Sequence, residues 1–117
     1  MENNMQAIGE SLEEIKENNY LVIVEGKKDK KALNKLGLSN VVFLENRPLF
    51  EFVESIEEEN VVVLTDLDSE GRKLFNKIRH QLQRRGVKLH NKIRNNLFKS
   101  RLRNIEGLDT YLKLFEF

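Results

Sequence analysis

Two short apolar runs that stop abruptly at carboxylates and a glycine constrain this chain more than any other feature. Residues 22–26 read Val-Ile-Val-Glu-Gly, and residues 61–71 read Val-Val-Val-Leu-Thr-Asp-Leu-Asp-Ser-Glu-Gly. Continuous β-branched runs of this kind fit strands buried on both faces, as in a parallel sheet covered by helices. In open α/β sheets, ligands bind outside the carboxyl ends of the strands. The pattern therefore predicts that Glu25, Asp66 and Asp68, with Glu70 close by, gather at one edge of one sheet. Carboxylates brought together without a fixed counter-charge repel and raise one another's pKa. A hard divalent cation resolves that conflict, and Mg²⁺ is the expected one.

The rest of the chain supplies the helices such a sheet needs. Ala7, Ile8, Leu12 and Ile15 predict a helix over 6–18, before a first strand over 20–24. A short helix over 27–36 turns Ala32, Leu33 and Leu36 inward and stops at Gly37; a second strand covers 41–44. Pro48 opens a helix carrying Phe50, Phe52, Val53 and Ile56, and the third strand follows at 61–64. A long helix over 69–85 repeats Leu74, Ile78 and Leu82 and closes at Gly86, before a short fourth strand over 87–89. Residues 91–102 read as a basic amphipathic helix with Ile93, Leu97, Phe98 and Leu102 inward, and a last helix spans 108–114. Alternating strands and helices predict an α/β fold, a four-stranded parallel sheet between helices. A flavodoxin-like strand order makes strands one and three neighbours. Glu25 then stands beside Asp66 and Asp68, despite the 41 residues between Glu25 and Asp66.

At 117 residues the chain is read as one domain, 1–117. The absence of cysteine excludes disulfides, a thiolate zinc site and a cysteine nucleophile. No apolar stretch approaches the roughly 20 residues of a membrane span. The first residues lack the basic and then apolar pattern of a signal peptide, so a cytoplasmic protein without membrane contact is expected. The net charge of +1 hides an asymmetry. Residues 1–70 hold 7 Lys/Arg against 16 Asp/Glu, whereas residues 71–105 hold 12 Lys/Arg and no acid. A basic tract of that density beside a carboxylate cluster predicts a polyanionic partner, RNA or DNA first.

Asp66 and Asp68 at a strand's end either fan around one ion or share two. Glu25 completes one ion's shell or serves as general base or acid. Glu70 is a candidate outer ligand. Gly26 and Gly71 each precede a helix start and would let a phosphate approach the backbone. Ser69 and Asp29 read as helix-start residues. Candidate phosphate-binding cations are Lys27, Arg47, Arg72 and Lys73 at the predicted site edge, and Arg84 and Arg85 in the basic tract. His80 and His90 lie away from the carboxylates.

Val-Glu-Gly-Lys-Lys-Asp at 24–29, together with Thr-Asp-Leu-Asp-Ser-Glu-Gly at 65–71, resembles the Toprim domain. That domain is shared by type IA and type II topoisomerases, bacterial primases, recombination proteins, certain ATP-coupled nucleases and a ribosomal-RNA maturation nuclease. The resemblance covers roughly 19–103, leaving an N-terminal helix over 6–18 and a C-terminal helical tail over 104–117. Overall length, and Arg-Pro-Leu at 47–49, are similar to small stand-alone, primase-like Toprim proteins of archaea. The resemblance implies Glu25 as general acid/base and ligand, Asp66 bridging two Mg²⁺ ions, Asp68 on the second, and Glu70 as the third acid of the motif. Mn²⁺ would substitute.

Departures from the larger relatives narrow the function. Topoisomerases need a tyrosine nucleophile on a companion domain, and only Tyr20 and Tyr111 occur here. The cysteine-rich zinc module of related primases and the added RNA-binding domain of the maturation nuclease have no counterpart. The expected function is a small Mg²⁺-dependent nuclease or RNA/DNA processing factor, with a protein partner in a processing or replication complex. The alternative is a non-catalytic module that grips nucleic acid or docks a partner. A phosphatase of the haloacid-dehalogenase type also uses Asp-x-Asp, but places it on its first strand and follows it with Gly-Thr.

Overall fold

The computed structural model describes residues 2–114. Strand β1 (Leu21–Val24) is buried along its whole length, and its side chains divide between two cores. Val22 and Val24 enter one, Leu21 and Ile23 the other. Strand β3 (Asn60–Val63) repeats this division, with Val62 on the first side and Val61 and Val63 on the second. Alternating directions along a strand require apolar residues at every position when both faces are covered. These two strands form the centre of a four-stranded, all-parallel sheet of order β2-β1-β3-β4, with β2 (Val41–Phe43) and β4 (Lys88–Leu89) at its edges. This is the α/β architecture and strand order expected from the sequence.

Helices α1 (Glu2–Asn18), α2 (Lys27–Lys35), α5 (Lys92–Phe98) and α6 (Leu108–Lys113) cover the first face through Ile8, Leu12, Leu33, Ile93, Leu97 and Leu108. Helices α3 (Leu49–Glu54) and α4 (Ser69–Arg84) cover the second through Phe52, Val53, Ile78 and Leu82. Gly37 and Gly86 follow α2 and α4 with φ of +91° and +80°, the left-handed geometry that ends helices at glycine. Among the described residues no helix is long and apolar enough to cross a membrane.

Helix α1 begins at Glu2 rather than at residue 6, and two segments nearer the carboxyl end also differ from expectation. The basic helix predicted over 91–102 ends at Phe98. The Ser100 hydroxyl donates to the Leu97 carbonyl at 2.7 Å and accepts the Leu102 N–H at 3.1 Å, which turns the chain out of the helix. Leu102 is still buried. The predicted tail opens with a 3₁₀ turn, Ile105–Gly107, before α6. Residues 115–117 of that tail lie outside the described residues.

Candidate metal centre

The β1–β3 register carries past the strands into the two motifs. Leu21 pairs with Val61 and Ile23 with Val63, and the Leu64 N–H donates to the Ile23 carbonyl at 2.8 Å. Two residues further on, the Asp66 N–H donates to Glu25 Oε2 at 2.7 Å. The Glu25 side chain therefore continues the ladder where the backbone pairing stops, and ties the two motifs together.

The turn from β3 into α4 is held from several sides. Asp68 is the N-cap of α4, its Oδ1 accepting the Gly71 N–H at 2.7 Å. Buried Thr65 donates its hydroxyl to the Gly71 carbonyl at 2.6 Å. A Cβ on Gly71 would stand 1.9 Å from the Asp66 carbonyl oxygen. Glycine is required here by backbone packing, whatever phosphate it also admits. Gly26 differs: its φ of −145° suits any residue, and a Cβ there would meet only Asp29 Oδ2 at 3.9 Å.

Sequence reasoning missed two supports of this turn. Arg94 in α5 is 2 % exposed and donates from Nη1 to the Thr65 carbonyl at 2.6 Å and from Nη2 to the Asp66 carbonyl at 3.1 Å. Its guanidinium lies over the rings of Phe75 at 4.5 Å and Phe98 at 5.1 Å. The 3₁₀ turn is the second support. The Ile105 N–H donates to Asp66 Oδ1 at 3.0 Å, and the Leu67 N–H donates to the Arg103 carbonyl at 2.8 Å. The tail thus packs against the carboxylate turn.

Electrostatics at this edge are those of crowded carboxylates. Burial raises the pKa of Glu25, with the charges of Asp66 and Asp68 adding to it; the Asp66 N–H and Arg94 oppose the rise. Asp66 is likewise raised, first by burial and then by Asp68 and Glu106, against the Ile105 N–H and Arg94. Asp29, which accepts the Gly26 N–H at 3.0 Å, is pushed up to about 6 by burial, helped by the charges of Asp66, Glu25 and Glu106. Asp29 thus is the helix-start residue expected, yet it also belongs to this charge cluster. Glu106 of the tail does too.

The other predicted residues divide by position. Lys27 opens α2 and Arg72 lies in the first turn of α4, both exposed. Arg47 follows β2 through Glu45, which has a φ of +45°, and lies over Phe52 at 5.6 Å. Glu70 and Lys73 pair with each other at 3.5 Å on the exposed side of α4. Arg84 ends α4, roughly 22 Å along the axis from Ser69 at ~1.5 Å per residue. Arg85 beside it donates to the Val53 carbonyl and stands 3.7 Å from Glu54. These two arginines are not brought to the carboxylates. Nor is His90, which stacks on Tyr20 at 4.1 Å and bonds Asn60 at 2.9 Å.

Glu25, Asp66 and Asp68 each have one oxygen on a backbone N–H, which leaves a second for a cation. Among the described residues, no group of three or more carboxylates and histidines stands in ligating geometry. Mg²⁺ does not require one, since it keeps several waters and binds through one or two carboxylates plus substrate phosphates. The donor set of hard carboxylate oxygens, crowded at one sheet edge, fits that cation.

Comparison with known proteins agrees with the fold. Residues 19–91 match the Toprim domain family. A UPF0292 protein of Thermococcus sibiricus is 26% identical over 96% of this chain and 90% of its own length. A UPF0292 protein of Methanocaldococcus jannaschii is 33% identical over 78% of this chain and 77% of its own. The solved structure of a putative protein from Aquifex aeolicus superimposes with a TM-score of 0.77 at 33% identity, covering 85% of this chain and 95% of that one.

Proposed function

Because this chain belongs to the Toprim domain family, we propose that it is a small Mg²⁺-dependent protein acting on nucleic-acid phosphodiesters, as a nuclease or an RNA/DNA processing factor. The observation that carries this reading is the bond from the Asp66 N–H to Glu25 Oε2, which joins the two carboxylate motifs at the switch point between β1 and β3. The acid-free basic tract over 71–105 supports a polyanionic partner. Asp66 and Asp68 with Glu25 would hold Mg²⁺, which would supply positive charge to offset that of the phosphate. Glu25 holds a proton more readily than an ordinary glutamate because of its burial and its acidic neighbours. One of its oxygens stays on the Asp66 N–H, and the other takes a proton from the attacking water. The water oxygen bonds to phosphorus while the opposite ester P–O bond breaks, and that ester oxygen leaves with the electron pair and is protonated by solvent. Lys27 and Arg47 orient the phosphate. A companion protein in a processing or replication complex would supply what larger Toprim enzymes carry in extra domains.

The test uses end-labelled single- and double-stranded RNA and DNA, with and without Mg²⁺ or Mn²⁺. Metal-dependent cleavage is expected, and Glu25→Gln is expected to slow it by roughly 10²–10⁴-fold, the usual contribution of a general acid or base. Cleavage that persists in Glu25→Gln and Asp66→Asn would refute the assignment. One feature favours a second reading, a non-catalytic module that grips nucleic acid: Glu25 Oε2 already serves as a backbone acceptor. Metal-dependent binding without cleavage in the same experiment would select it.

A further inference from the structure

Between the first turns of α4 and helix α5 lies a cleft of about 270 Å³ whose lining holds two arginines, two phenylalanines, three asparagines and no carboxylate. It adjoins the carboxylate turn, because Arg94 lines it while holding the Thr65 and Asp66 carbonyls. The cationic and aromatic groups form a ladder. Arg72 lies over Phe98 at 4.9 Å, Phe98 faces Arg94 at 5.1 Å, and Arg94 faces Phe75 at 4.5 Å. The outer rung, Arg72, is exposed, as are Asn76 and Asn95, whereas Arg94 is buried.

Each part has a physical consequence. Two guanidinia share a lining with no acid, so the cleft favours an anionic ligand. An exposed guanidinium backed by a ring offers a flat cationic platform, on which unpaired bases stack. Exposed asparagine amides supply both donors and acceptors for base edges. The volume is below the roughly 300–1,000 Å³ of pockets that enclose a whole small ligand. One unit of a polymer fits better.

We propose that this cleft seats one nucleotide of a single-stranded nucleic acid, its base against the Arg72–Phe98 stack and within reach of Asn95, so that the adjoining phosphate is led to the Asp66–Asp68 turn. The inference rests on the nucleic-acid reading of this protein and adds the strand state of its substrate and the place where that strand lies. Arg72 is here a specificity residue, and Asn95 its partner.

The test measures affinity of the full chain for labelled single-stranded RNA and DNA oligonucleotides and for duplexes of the same sequence, by fluorescence anisotropy in EDTA. Excluding metal separates the cleft from the metal centre. Arg72→Ala and Asn95→Asp are each expected to weaken single-strand binding by about tenfold, the scale of one lost stacking or base contact. Lys77→Ala removes the same charge from the same helix outside the cleft and is expected to weaken it by less than about threefold. All three positions are exposed, so these variants retain the fold. Arg72→Ala or Asn95→Asp binding like the parent would overturn the cleft, as would duplex binding equal to or tighter than single-strand binding. Equal competition by an acidic polypeptide would overturn it too, marking a general anion patch. Loss of binding in the cleft variants, without Mg²⁺-dependent cleavage by the parent, would uphold the cleft while removing the nuclease reading.

Discussion

Gly71→Ala is expected to destabilise the protein by about 3 kcal/mol or more, the upper end of overpacking effects. The added methyl would lie 1.9 Å from the Asp66 carbonyl oxygen and 2.5 Å from its carbon. Both are backbone atoms, so no rotamer change relieves the clash. Moving α4 away would break the Thr65 and Asp68 bonds to Gly71. Moving the turn away would pull Asp66 off Glu25 and Arg94. Gly26→Ala provides the contrast, with an expected change within about 0.5 kcal/mol, because a Cβ there is in ordinary contact and the backbone is extended. Urea denaturation of both variants checks this. Equal stability of the two would mean that the α4 entry is not packed as described.

Arg94→Met is expected to cost about 3 kcal/mol, with Arg94→Lys intermediate. Two effects compete. Removing a buried guanidinium relieves its desolvation, which has already pulled its pKa down to about 10. Against that, the Thr65 and Asp66 carbonyls lose their donors, and Glu25 and Asp66 lose a nearby positive charge. An unsatisfied buried acceptor costs about 1–3 kcal/mol, and two of them together with the lost counter-charge outweigh the relief. Lysine restores a charge but not the fork that reaches both carbonyls. The amides of Asp66, Leu67 and Ile105 should exchange faster in Arg94→Met, since the turn they stabilise loses its clamp. Unchanged stability and unchanged exchange would show that Arg94 is dispensable to the turn.

The centre of the sheet was legible because β1 and Val61–Val63 of β3 obey one rule. Apolar side chains at every position of β1, and a turn into carboxylates after β1 and β3, fix burial on both faces and the direction of the site. The strand order then places Glu25 beside Asp66 across 41 residues. Helix ends were legible where a glycine follows the apolar period, as at Gly37 and Gly86. The Ser100 turn is local too, but Leu102 continues the apolar period past it, and the period alone carries the helix four residues too far.

The supports of the site were hidden for physical reasons. Arg94 sits three and four residues before Leu97 and Phe98, on the inward side of α5, but a periodicity that counts only apolar residues as inward passes over it. A basic residue within such a stripe was the signal available. Glu106 and Ile105 reach the site through tertiary folding of the tail, and nothing in their spacing points to Asp66. Gly71 and Gly26 are alike in sequence, each directly following a glutamate, Glu70 and Glu25. Only the approach of the Asp66 carbonyl distinguishes them. Glu70 and Lys73, three apart on an exposed helix face, pair with each other as that spacing favours.

The central claim is that Glu25, Asp66 and Asp68 form a divalent-cation site, and thermal unfolding with and without millimolar Mg²⁺ or Mn²⁺ tests it most directly. Glu25 and Asp66 have raised pKa values in the folded protein. Their contribution is therefore most favourable below the ordinary carboxylate range and is lost as pH rises through the raised values. A cation offsets this repulsion only once the groups are ionised. Stabilisation by metal is thus expected near neutral pH, to shrink as pH falls into the carboxylate range, and to be lost in Asp66→Asn. Equal stabilisation of parent and Asp66→Asn, or none in the parent at neutral pH, would contradict the assignment of this edge as a metal centre.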